Sequence, residues 1–224
     1  MRFPSPSSPP RIRTVQQIGM FLRAWARDPI GVAAVLPSGR QLSQQMLKPL
    51  ALLAQSDPAR QRVIELGAGT GAFTRALVEH GLQPRNLLVV ERDPALHGLL
   101  CQRFPDLQVI RADACALRTA AQACGYSLDG PADAVISGLG LLSMPRAMQR
   151  SILTEAFAVL QPGGCFVQFT YGHASPVSRA LRDELGLHVR RSGLAWRNAP
   201  PASVFVYERM FTDHHTCPAP QATK

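Results

Sequence analysis

Three carboxylates, Glu65, Glu91 and Asp113, each stand at or near the end of a short apolar run, and the first is followed at once by alternating glycines. The stretch is Val63-Ile64-Glu65-Leu66-Gly67-Ala68-Gly69-Thr70-Gly71-Ala72-Phe73. Without a Cβ, glycine lets the chain turn sharply off a strand and lets a ligand lie almost against the backbone. An acid at a strand end accepts from a ligand's hydroxyls or cationic amine, and Glu65 offers this beside the loop. Glu91, roughly two dozen residues beyond Gly67, suits ribose hydroxyls. Asp113, in Arg111-Ala112-Asp113-Ala114, suits an adenine amine. Together these groups would hold a nucleoside.

The dinucleotide fingerprint is GxGxxG, whose last glycine tightens the helix under a pyrophosphate. Here the spacing is GxGxG with an acid two residues earlier, which fits a ligand without pyrophosphate. S-adenosylmethionine is such a ligand. An NAD-dependent oxidoreductase is the weaker alternative, and for the loop alone an ordinary strand-to-helix turn is the bland one. Acids at three successive strand ends favour the cofactor.

A second segment faces the reactive end of any such ligand: Ile136-Ser137-Gly138-Leu139-Gly140-Leu141-Leu142-Ser143-Met144-Pro145. Enzymes that methylate base amines usually present Asn or Asp with Pro-Pro-aromatic here. This loop is small and apolar, so an apolar substrate body is expected rather than a splayed base, with a plain core-packing loop as the alternative.

Hydrophobic periodicity supplies the elements that position these groups. Strands are expected at 62–66, 86–91, 108–111, 132–137, 165–171, 188–191 and 203–210, and helices at 71–80, 94–104, 116–124, 145–160 and 176–185. Gln161-Pro162-Gly163-Gly164 reads as a turn, and residues 30–40 as an apolar loop before a helix over 41–54. Strand-helix alternation predicts an α/β, doubly wound, mostly parallel seven-stranded sheet closed by an antiparallel hairpin, with ligands at the strands' carboxyl ends.

The composition, 46% hydrophobic and 17% charged, excludes a disordered chain. No apolar run approaches the ~20 residues that span a bilayer, and the start lacks a signal peptide's apolar core. A cytoplasmic protein is expected, its five cysteines free. His214, His215 and Cys217 read as tail, so no metal is expected. A net charge of +9 points to a polyanion, either nucleic acid or an anionic membrane surface. Residues 1–12 read as a disordered leader, 13–58 as an amphipathic helix and cap region, 59–211 as the core and 212–224 as a flexible tail. Over 14–27, Ile18, Phe21, Leu22 and Trp25 fall on one face, with Arg23, Arg27 and nearby Arg13 on the other. That is the pattern of a helix lying in a membrane interface; a core-capping helix with solvated arginines is the alternative.

The stretches AVLPSGRQLSQQM, VIELGAGTGAFTRAL, VVERDP, RADA, VISGLGLLSMP, LQPGGCFVQFTYG and NAPPASVFVY together resemble the bacterial soluble phospholipid N-methyltransferases over about residues 18 to 210. The resemblance implies a class I methyltransferase (Rossmann-like) fold, similar to that of the rRNA adenine dimethylases. It implies methylation of phosphatidylethanolamine toward phosphatidylcholine at the inner membrane face; an ornithine lipid or a nucleic-acid adenine is the alternative substrate, although nucleic acid is not the expected partner. It places S-adenosylmethionine on Glu65, Gly67, Gly69, Gly71, Glu91, Asp113 and Ala114, and the amphipathic helix on the membrane. The family usually carries proline where this chain has Gly140. At the reacting end, Ser137, Gly138, Leu139 and Tyr171 are the candidates, Tyr171 contacting the amine by cation-π attraction. Phe169 is expected on the other face; Tyr207 and Trp196 are weaker candidates, and His173 a candidate proton acceptor.

Overall fold

A computed structural model describes residues 38–53, 57–195 and 201–209. Strands β1 (Val63–Leu66), β2 (Leu87–Glu91) and β4 (Ala132–Ser137) are buried along their whole length. Helices on both faces of a parallel sheet require such unbroken apolar runs. β3 (Gln108–Arg111) is half-exposed, as its edge position dictates. With β5 (Leu160–Tyr171), β6 (Leu187–Ala195) and β7 (Ala202–Arg209), the sheet has the order β3-β2-β1-β4-β5-β7-β6. β1 to β5 run parallel, and β7 is antiparallel to both β5 and β6.

The helices divide between the two faces. α1 (Ser38–Leu47), α2 (Ala72–Glu79) and α3 (Pro94–Arg103) pack Leu42, Met46, Leu77 and Leu100 against Val63, Val89, Ile136 and Val167. α4 (Leu117–Ala123), α5 (Arg146–Val159) and α6 (Arg179–Leu185) pack on Ile64, Val90, Val135 and Phe166. The stripe of α5, Gln149, Ile152, Leu153, Ala156 and Phe157, follows the helical period. Asp93 caps α3 by accepting from the N–H groups of Ala95 and Leu96. Strand order reverses between β1 and β4, so the crevice for a ligand opens at their carboxyl ends.

Three local expectations need correction. Gln161 to Gly164 is not a free turn before a strand: β5 already begins at Leu160, opposite Ala132, and resumes pairing at Cys165, opposite Ala134. The turn residues form an irregularity inside the ladder, where Gly163 has φ 80°. Residues 38–40, expected as loop, open α1, which runs on as a 3-10 turn over Lys48–Leu52. The last helix is shorter than its apolar pattern and starts at Arg179 behind the Ser178 cap. The leader, the 14–27 helix with Arg13, Ile18, Phe21, Leu22, Arg23, Trp25 and Arg27, Trp196, and the tail lie outside the described residues.

Candidate functional site

The glycine loop is tied down at both ends. Gly67 N–H donates to Val90 O at 2.9 Å, and Gly71 N–H closes the turn on Ala68 O at 2.9 Å. Gly67 and Gly69 hold φ of 65° and 57°, left-handed values that L side chains rarely adopt. Their surroundings differ. A Cβ at Gly67 would come within 2.5 Å of Leu139 Cδ2, whereas one at Gly69 would meet nothing within 4 Å. Gly69 therefore borders open space.

Glu65 is fully buried beneath α2. Its Oε2 accepts from Thr74 Oγ1 at 2.7 Å, while its Oε1 has no partner. Burial pushes the carboxyl up to about 7, with the nearby Glu91 adding to the rise and Thr74 opposing it. Glu91 ends β2 and holds two backbone groups, Gly69 N–H on Oε2 and Asp93 N–H on Oε1, both at 2.9 Å. Asp113 accepts from Cys115 N–H at 2.8 Å and faces Arg92 at 3.4 Å; the Cys115 N–H foremost, with Arg92 assisting, holds its carboxyl below the usual range. Ala114 follows in a 3-10 turn and packs on the core. The three expected acids thus line one rim of the sheet.

The second loop touches the first. Gly138 N–H donates to Leu66 O at 2.8 Å, and a Cβ on Gly138 would meet Gly67 O at 2.5 Å. Ser137 is fully buried, and its Oγ accepts from Leu139 N–H at 3.3 Å, so the hydroxyl serves the loop's own backbone. Leu139 and Gly138 are thereby packed on Gly67.

Tyr171 ends β5 on the same face as Phe169, not the opposite one: the rings sit 5.6 Å apart at 84°. Residues two apart on a strand share a face. Phe169 in turn meets Phe73 of α2 at 5.7 Å, so three aromatic rings form a row. Burial raises the Tyr171 phenol. Tyr207, a weaker candidate, lies on the other face, fully buried against Phe166 with its hydroxyl 2.7 Å from Ser175 Oγ. It is a core residue. His173 is exposed in the loop after β5.

Three site residues escaped the sequence. Thr74 is marked only by its position one turn into α2, facing Glu65. Arg103 reaches back from α3 to the loop carbonyl of Thr70 at 2.8 Å, a contact across 33 residues that no local pattern signals. Gln168 donates from Nε2 to Leu139 O at 2.8 Å; a polar residue at a buried strand position was the available signal.

A seven-stranded sheet of this order, with a glycine loop after β1 and acids at the ends of β1 to β3, is the fold of class I S-adenosylmethionine-dependent methyltransferases. A family model described as "Methyltransferase domain" matches residues 63–164. The ornithine lipid N-methyltransferase of Singulisphaera acidiphila is 32% identical over 154 residues, 67% of this chain and 76% of that protein. Ribosomal RNA small subunit methyltransferase A of Chlorobium chlorochromatii is 35% identical over 80 residues, 36% of this chain and 29% of that one. Among solved structures, the glycopeptide N-methyltransferase MtfA complexed with S-adenosyl-L-methionine shares the fold, with a TM-score of 0.55 and 14% identity over 77% of this chain and 94% of that one. Magnesium protoporphyrin IX methyltransferase of Synechocystis does so with a TM-score of 0.55 and 14% identity, over 91% and 87%. The chain belongs to the S-adenosylmethionine-dependent methyltransferases, and S-adenosylmethionine is its cofactor.

Proposed function

We propose that the protein transfers methyl groups to the amine of a membrane lipid, an ornithine lipid first. The observation that carries this is the 32% identity to an ornithine lipid N-methyltransferase across two thirds of the chain. The apolar loop of Leu139, Leu141 and Leu142, with neither Asn nor an aromatic, agrees with a lipid rather than a base. Phosphatidylethanolamine presents the same primary amine and is the second substrate to test.

The cofactor fits the residues present. Glu65 Oε1 is a buried acceptor lacking a donor, and the space at Gly69 is open to a ligand. Glu65 would accept from the cofactor's ammonium, and Glu91, with lone pairs to spare beside its two backbone donors, from the ribose. Asp113 and Ala114 would face the adenine, with Gly67 and Gly71 shaping the turn. When bound, S-adenosylmethionine supplies a methyl group on an electrophilic sulfonium. The chain's own task is positioning, which contributes ~7–11 kcal/mol in well-oriented systems.

A lipid ammonium titrates near ~10.4, so it must lose a proton before it can attack. Burial raises the Tyr171 phenol, which disfavours a phenolate as the acceptor and leaves the proton to pass to solvent. The Phe73, Phe169 and Tyr171 faces suit an increasingly methylated cation. Leu139, packed on Gly67, would border the reacting end, while Leu141 anchors the loop in the core.

Among the described residues no helix is long and apolar enough to cross a membrane. Residues 14–27 would then bring the enzyme to an anionic surface, and Trp25→Ala with Arg23→Ala should weaken vesicle binding while sparing cofactor affinity. The deciding experiment is a thin-layer lipid profile of a host that makes ornithine lipid but no phosphatidylcholine. Methylated ornithine lipid on expression supports the proposal, methylated phosphatidylethanolamine names the second substrate, and an unchanged profile despite a cofactor-binding protein rejects both.

A further inference from the structure

Three carbonyl oxygens of the loop after β4, those of Leu139, Gly140 and Leu141, each already accept twice. Leu139 O accepts from Leu141 N–H at 2.9 Å and Gln168 Nε2 at 2.8 Å. Gly140 O accepts from Ser143 N–H at 3.0 Å and Ser143 Oγ at 2.8 Å. Leu141 O accepts from Met144 N–H at 3.0 Å and Gln149 Nε2 at 2.8 Å. A carbonyl oxygen has two lone pairs, so these three are saturated. None is left for a substrate N–H.

Gln168 is the exception. It is fully buried, and its Nε2 donates both to Leu139 O and, at 2.7 Å, to Phe169 O. Two carbonyl oxygens facing one end fix the amide, because the reverse orientation would set oxygen against oxygen. The other end, Oε1, is buried with no donor. An unpaired buried acceptor is unfavourable, and its missing partner is a donor. In the ladder Gln168 sits opposite Ser137 on one side of β4, and Glu65 sits opposite Ile136 on the other. Two buried acceptors without donors therefore flank the last two residues of β4 from opposite faces of the sheet, Gln168 beside Ser137 on the face of Phe166 and Glu65 beside Ile136 on the face of Phe169 and Tyr171. The unpaired Arg62 Nε lies at the far end, before β1 begins.

We infer that Gln168 Oε1 holds the substrate amine through one of its N–H groups, and so sets how strongly each round of methylation is assisted. The inference rests on the lipid-amine reading above. Each round replaces one N–H by N–CH3 and releases one proton to water. As the attacking free base, a primary amine has two N–H groups, a secondary amine one and a tertiary amine none. A neutral amide oxygen that only accepts can thus orient the first two rounds and not the third.

The test uses the full chain and the primary, monomethyl and dimethyl forms of the lipid that the wild type methylates. Gln168→Met also frees Leu139 O and so slows every round, but transfer to the first two should fall at least about tenfold further than transfer to the dimethyl form. Calorimetry on protein loaded with S-adenosylhomocysteine should show a larger loss of affinity for the primary lipid than for the quaternary one. Gln168→Glu, whose carboxyl between two carbonyls stays protonated and offers one donor and one acceptor, should retain first-round transfer within about fivefold. Equal losses in all three rounds, or none, would overturn the inference. Should neither variant bind S-adenosylhomocysteine, the wild type decides: a third round as fast as the first overturns it, and a slowest third round supports it. A wild type that methylates no lipid amine overturns the lipid-amine reading itself, and this inference with it.

Discussion

Leu139 lies directly over Gly67, so close that a methyl group on Gly67 would come within 2.5 Å of Leu139 Cδ2. The contact joins the cofactor loop after β1 to the loop after β4, and it makes neighbouring glycines unequal. Gly67→Ala combines a left-handed backbone with overlap in a packed loop and should lower stability by about 2–4 kcal/mol. Gly69→Ala meets only the backbone term, about 1 kcal/mol. Urea denaturation should rank them so. Calorimetry should show that Gly69→Ala still loses at least tenfold in S-adenosylhomocysteine affinity, because the proposed cofactor position fills the open space beside it.

Glu65 links pH to both stability and binding. Its carboxyl sits at about 7 in the folded protein, above its ordinary value of 4.5. A raised acid favours the protonated form on folding, so its contribution is full below pH 4.5 and lost as pH rises through 7. At pH 8 the buried charge costs roughly 3 kcal/mol. Glu65→Gln should therefore raise the urea midpoint of the ligand-free protein at pH 8 and change it little at pH 5. The same substitution should weaken S-adenosylhomocysteine binding. In the wild type that affinity should increase from pH 6 to pH 8, as the ammonium meets an ionised Glu65, and in the variant it should stay flat.

The strand ends and the glycine turn between β1 and α2 were legible in the sequence, because their residues are consecutive or close a strand. Glu65, Glu91 and Asp113 fall at the rim since each apolar run ends where its strand ends. Contacts set by tertiary packing were not legible. Arg103 on Thr70 O and Gln168 on Leu139 O each join elements that have no common period. The aromatic row was misread for a different reason: Phe169 and Tyr171 are two residues apart, and strand alternation places them together. The irregularity in β5 looked like a turn because Pro162-Gly163-Gly164 is turn chemistry, used here inside a ladder.

Gly140 should accept proline. Its φ of −77° lies in the range a pyrrolidine ring fixes, and the nearest atom to an added Cβ is Ser143 Oγ at 3.4 Å. Gly140→Pro should leave the fold intact and stabilise it by about 0.4–1 kcal/mol through the unfolded state. Thermal melting checks this; a lowered midpoint would mean that the loop needs glycine.

Tyr171 should act through its ring rather than its hydroxyl. Tyr171→Phe keeps the face packed on Phe169 and should retain transfer within about threefold. Tyr171→Leu removes a cation-π contribution of ~0.5–2 kcal/mol, so it should slow transfer by ~2- to 30-fold, most for the dimethylated substrate. Comparison of kcat/KM for the two variants separates ring from hydroxyl.

The most direct measurement follows labelled methyl groups from S-adenosylmethionine into three acceptors offered to the full chain: vesicles with ornithine lipid, vesicles with phosphatidylethanolamine, and ribosomal RNA. The lipid-amine account predicts label in ornithine lipid, with phosphatidylethanolamine as the second acceptor, and none in RNA. Label in adenine, with both lipids unmarked, would contradict it.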